Sequence, residues 1–127
     1  MIYIGFILFF VAGICEAVMD KLQFHYNISI FKNFKNQLFW DPSSSWKNKY
    51  EDGDPLKGER FFLSKTLFVG FTDAWHLFKL FRTLMIFAGV YFLFIPCLSK
   101  IECLLFVIIA RILYGISFTI FFNWFED

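Results

Sequence analysis

The stretch Thr72-Asp73-Ala74-Trp75-His76 sets a carboxylate and an imidazole three residues apart, on one face of a helix, inside a run from Phe61 to Leu98 that is otherwise strongly apolar. A second set, Glu16, Asp20 and His25, closes the apolar segment at the start of the chain, and Glu16 and Asp20 are spaced to share a face. Asp20, His25, Asp73 and His76 together supply the ligand types of a zinc, manganese or iron site. A divalent ion held by them would acidify its bound water and polarise a phosphoryl or carbonyl oxygen, the logic of metal-assisted hydrolysis. Lys79 and Arg82, further along the same helix, are expected to reach outward and hold a phosphate.

Plainer readings stand beside this one. The Asp-x-x-His spacing is common and is not the HExxH of a metalloprotease, and each histidine alone reads equally well as a hydrogen-bonded residue of an interfacial aromatic belt. Two histidines also allow a bis-histidine haem. Their flanking carboxylates suit a hard divalent ion better, and two interfacial histidines would leave the porphyrin half in water. Ser64, Thr66 and Thr72 have no Gly-x-Ser-x-Gly context, so capping is the preferred role for them. Asp52 and Asp54 lack the spacing of a calcium-binding EF-hand, and Asn27-Ile28-Ser29 is a sequon by chance pattern.

The elements that must position these residues follow from composition. Of 127 residues, 58% are hydrophobic and 21 are phenylalanine, more apolar surface than a small globular core can bury. With a net charge of +1 and basic residues interleaved with acidic ones, no nucleic-acid partner is expected. Cys15, Cys97 and Cys103 lie in or beside apolar segments and read as small buried hydrophobes rather than a disulfide framework. The expected fold is an all-α membrane protein with three transmembrane helices: residues 2–20, about 77–96, and 101–124. The first is read as a retained helix, because it has neither a basic n-region nor a small-x-small cleavage site.

Residues 21–63 form a basic, aromatic-rich loop, with a short interfacial helix at 28–38 and turns at Asp41-Pro42 and Asp54-Pro55. The positive-inside rule puts this loop and the C-terminus in the cytoplasm and the N-terminus outside. No turn signal interrupts the segment from 64 to 96, so it reads as one long helix. Its about 32 residues extend about 48 Å against a hydrocarbon core of about 30 Å, so its first part projects into the cytoplasmic interface. On that reading the two acid/imidazole pairs lie at one depth. Arg111 falls about 15 Å into the last span and needs a partner, for which Glu16 matches in depth. A Glu16–Arg111 ion pair is the structural expectation.

The strings Asp20-Lys21-Leu22-Gln23-Phe24-His25, Phe39-Trp40-Asp41-Pro42, Ser45-Trp46-Lys47-Asn48-Lys49-Tyr50, Gly53-Asp54-Pro55 and Thr72-Asp73-Ala74-Trp75-His76 resemble a group of small bacterial integral membrane proteins over residues 15–82. The resemblance brings no activity with it. It implies that the loop and the Asp/His cluster, rather than the last span, are the defining part.

The functional expectation is therefore metal-dependent hydrolysis or transfer on a phosphorylated or lipid substrate. The alternative is a non-catalytic accessory subunit whose partners are its own copies or a larger membrane complex. In that case aromatic stacking supplies the interfaces, because small residues are sparse and no Gly-x-x-x-Gly occurs. A transport role is a lesser alternative, since a mid-span charge such as Arg111 also suits an ion pathway.

Overall fold

Runs of Ile, Leu, Phe and Val without an internal proline satisfy every backbone hydrogen bond locally as helices, and in this chain they do so three times. The computed structural model describes residues 1–127 and is all-helical. It has three helices long and apolar enough to cross a membrane: α1 (Ile2–Phe24), α4 (Ala74–Phe94) and α5 (Lys100–Trp124). Between α1 and α4 lie the one-turn helices α2 (Gln37–Trp40) and α3 (Pro42–Ser45) and a series of 3-10 turns. α4 stops just before Ile95-Pro96, as the residue preceding a proline disfavours helical ψ. α5 opens with a capping box: Ser99 Oγ accepts from the Glu102 N–H at 3.2 Å and Glu102 Oε2 accepts from the Ser99 N–H at 3.1 Å. In the connection, Cys97 and Cys103 form a disulfide, and only Cys15 is a free, buried thiol. This corrects the expectation of three buried hydrophobes for two of the cysteines.

Contacts divide the chain into two units, residues 1–17 with 81–124, and residues 18–80 with 125–127. In the first unit, small residues bring the helices together. A Cβ on Gly13 would lie 2.3 Å from the Tyr114 carbonyl oxygen of α5, and one on Gly5 would lie 3.1 Å from the Gly89 carbonyl oxygen of α4. Edge-to-face pairs Phe6–Phe106 and Phe10–Phe121 fill the space beside these close approaches. The charged core differs from expectation. Glu16 Oε2 accepts from Arg82 Nη1 on α4 and from the Tyr114 hydroxyl on α5 at 3.1 Å, while Arg111 lies over the Tyr114 ring at 5.5 Å. Arg82, expected as a phosphate contact, takes the place expected for Arg111. Depth along a helix put both arginines within reach, and the direction in which each faces decided between them.

The second unit is built on an aromatic cluster. The Phe31 and Trp40 rings stack at 5.2 Å, and Phe34, Phe78 and Phe125 pack around them. The expected helix over 28–38 is absent: 3-10 turns at Tyr26–Ile28 and Ile30–Asn33 are followed by α2. Asp41 and Asp54 each accept a backbone N–H two residues on, from Ser43 and Leu56, with Pro42 and Pro55 pre-set between. The chain end is clamped to this unit. Ser29 bridges Glu126, Lys21 is buried against Glu126 at 3.4 Å, and Lys32 reaches Asp127 at 2.8 Å.

Residues 64–73, expected as the start of one long helix, are turns. Leu63 adopts φ 55°, the buried Ser64 hydroxyl donates to the Lys49 carbonyl at 2.7 Å, and a 3-10 turn at Val69–Phe71 precedes α4. The 21 residues of α4 extend about 31 Å, one hydrocarbon thickness.

Replacing Glu16 by Leu or Arg82 by Leu singly strands a charge in an apolar span, whereas the double replacement removes both; a double-mutant cycle in detergent should show a coupling of about 1–3 kcal/mol. Additive effects would mean that the pair does not form. At the chain end, hydrogen bonds from Lys32 and then Asn33 hold the Asp127 carboxyl below its ordinary value of 3.8. A depressed carboxyl contributes above its unfolded pKa and loses that contribution as pH falls through the folded one. Wild type and Asp127→Asn should therefore differ in amide exchange at Ile30 and Asp127 near neutral pH and converge well below pH 3.8.

Candidate functional site

The start of α4 is fixed by its own sequence. Asp73 sits at the N-cap, where Oδ1 accepts from the His76 N–H at 2.9 Å, the bond an aspartate makes to the third residue of a helix. Its second oxygen, Oδ2, meets His76 Nδ1 at 2.7 Å and the Thr72 hydroxyl at 3.1 Å. The imidazole thus bonds the carboxylate of the cap itself, not the N-cap backbone N–H that the glutamate of a capping box would reach. Asn48 Nδ2 donates to the Thr72 carbonyl at 3.1 Å and so ties the loop to the cap. The Asp73 side chain is 4% exposed and that of His76 27%, so the carboxylate forms the inner half of the pair and the imidazole the outer half.

With Nδ1 turned onto Asp73, Nε2 is the ring nitrogen left for a substrate or a proton. Asp73 and His76 line an open cavity of about 260 Å³ together with Gln23, Pro42, Ser45, Trp46 and Trp75. Gln23, near the end of α1, accepts from Trp75 Nε1–H at 3.2 Å. An indole only donates, so it engages the amide oxygen and leaves the amide NH2 of Gln23 to donate to a ligand. Ser45, at the end of α3, is 5% exposed. No lysine or arginine lines this cavity.

Of the residues expected in a site, Asp73 and His76 are brought together as a hydrogen-bonded pair. The ends of α1 and α4 meet, but through Gln23 and Trp75 rather than through four metal ligands. No three His, Cys, Asp or Glu side chains anywhere in the chain are grouped so as to hold an ion, and Asp20 and His25 do not complete such a group with Asp73 and His76. Lys79 lies with its ammonium 5.0 Å over the Trp75 ring, and Arg82 is bound to Glu16. Gln23, Ser45 and Trp75 are the additions. Gln23 and Trp75 stand in the Leu22-Gln23-Phe24-His25 and Asp73-Ala74-Trp75-His76 strings, but a glutamine or tryptophan near an apolar boundary carries no spacing that announces chemistry.

An all-helical chain with three helices long enough for a bilayer and an Asp/His-lined cavity beside the start of the second is the class these features define. The chain matches no protein-family model, no curated protein and no solved structure.

The cap can be tested apart from any chemistry. Asp73→Ala removes both the N-cap bond and the imidazole's anchor and should lower stability by about 1–2 kcal/mol in detergent unfolding. Asp73→Asn keeps the acceptor for the His76 N–H and should lose less. Equal losses for the two variants would show that the cap bond does not hold this end of α4.

Proposed function

We propose that the chain is an integral membrane enzyme, resident in a bacterial inner membrane, that performs hydrolysis or transfer on a lipid at the bilayer interface. His76 is the proton-carrying group, Asp73 its orienting partner, and the Gln23 amide a donor to the substrate oxygen. The observation that carries this reading is the Asp73–His76 pair opening on a cavity without a cation.

A carboxylate on Nδ1 fixes the tautomer that leaves Nε2 as a base and supports the imidazolium when it forms. His76 takes the proton of a hydroxyl, from water or from Ser45, as that oxygen attacks a carbonyl carbon. It then returns the proton to the departing alcohol. The amide NH2 of Gln23 meets the oxygen on which charge develops. The cavity's lack of lysine or arginine favours a carbonyl ester over a phosphate, which narrows the substrate class to acyl lipids.

The test is turnover by the purified protein in vesicles of phosphatidylethanolamine and phosphatidylglycerol, with fatty-acid and lysolipid products followed by mass spectrometry. His76→Ala should lower the rate by about 10²–10⁴-fold, and Gln23→Leu should lower kcat more than it raises KM. A fluorophosphonate probe that labels wild type but not Ser45→Ala would make Ser45 the nucleophile; an unlabelled but active enzyme would make it water. A carboxylate on Nδ1 also orients the histidine ligands of metals, so turnover lost to EDTA and restored by zinc, manganese or iron would turn His76 from a base into a ligand. Wild-type turnover no faster than His76→Ala on every acyl lipid would leave the accessory-subunit reading in its place.

A further inference from the structure

α5 carries a charge for which the chain supplies no ionic partner. Arg111 is exposed on the helix surface, with its guanidinium over the Tyr114 ring at 5.5 Å and no ion pair or hydrogen bond to any other residue. It lies about 16 Å along the helix from Lys100 and about 20 Å from Trp124, which is mid-span in a bilayer. An arginine side chain covers less than half of the nearer distance, so its head cannot reach water past either end without distorting the membrane.

Beside it, Arg111, Ile112, Gly115, Ile116, Thr119 and Ile120 line a groove of about 700 Å³. A Cβ on Gly115 would meet nothing nearer than Arg111 Nη1 at 3.4 Å, so the missing side chain opens the groove. The Thr119 hydroxyl is turned back onto the Gly115 carbonyl at 3.0 Å and is satisfied there. The groove is therefore mostly apolar, open and lined by one cation, a surface that accepts a helix at close approach.

The charge decides what that helix must carry. A second copy of this chain brings one mid-span carboxylate, Glu16, and Glu16 is already bound by Arg82 and Tyr114. Two copies joined along this groove would set arginine near arginine. We propose that this face of α5 binds a transmembrane helix of a different protein, one with an aspartate or glutamate near the middle of its span that pairs with Arg111. This rests on the membrane reading and is independent of chemistry at His76.

The test uses the full chain in phosphatidylcholine vesicles, with labelled tryptophan-flanked leucine helices of about 22 residues as probes, carrying a central Asp, Asn or Leu. Energy transfer should show the Asp helix bound about tenfold more tightly than the Leu helix. Arg111→Leu should abolish that preference, Arg111→Lys should retain it, and Gly115→Ile should weaken it by filling the groove, with helicity by circular dichroism unchanged in all three. Equal binding of the Asp and Leu helices would overturn the proposal, as would a preference that survives Arg111→Leu. Self-association of the chain that excludes the Asp helix would assign the face to a second copy. Loss of the preference when phosphatidylglycerol is added would assign Arg111 to lipid phosphate.

Discussion

A single carboxylate oxygen, Glu16 Oε2, is shared by Arg82 and Tyr114, and so joins the three long helices at one point. A charge within an apolar span is tolerated only when its partners are fixed, and these are. The close approaches at Gly5 and Gly13 place the α1 backbone against α4 and α5 in the turns of α1 that precede that residue. α1 is the inner helix as a result: 39% of its most apolar stretch is buried, against 11% for α4 and for α5. The other two helices present most of their surface outward, so a polar residue on either needs its own explanation. Arg82 has one inside the bundle, and Arg111 does not.

The Asp73–His76 pair is first of all a helix cap, and the chemistry proposed for it does not compete with that. As a cap it is local, set by an aspartate before a helix, and would form whatever the protein does. The cap also buries the carboxylate, turns the imidazole outward and decides which ring nitrogen is free. What lifts the pair above a cap is the arrival of residues with no part in ending the helix. Gln23 comes from the end of α1, Ser45 from α3, and Asn48 ties the loop to Thr72. Two stretches distant in sequence, the end of α1 and the segment from Ser45 to Asn48, converge on the start of α4, and a cap by itself needs neither.

What was legible in the sequence was local. The three apolar runs and the two Asp-Pro turns are each decided within a few residues, and each appears where its chemistry puts it. The start of α4 was hidden because hydropathy continues unbroken from Phe61. The break at Leu63 rests on a backbone conformation and on the Ser64 bond to Lys49, a contact that no pattern announces. The Asp73-x-x-His76 spacing was read as two groups on a helix face, and the same spacing is that of a cap and the third residue after it. Arg82 and Arg111 could not be told apart as partners of Glu16, since distance along a helix gives depth and only packing gives direction. Gln23 and Ser45 were missed because a site assembled from separate segments has no spacing in the chain.

The two connections that flank α4 differ in charge and in redox chemistry. The connection between α1 and α4 carries Lys32, Lys35, Lys47, Lys49, Lys57, Arg60 and Lys65, an excess of the kind retained on the cytoplasmic side. The short connection between α4 and α5 holds the Cys97–Cys103 disulfide, which persists on the oxidising side. A spanning α4 has these two connections at its opposite ends, so the basic connection and the short disulfide-bearing one face opposite sides of a bilayer.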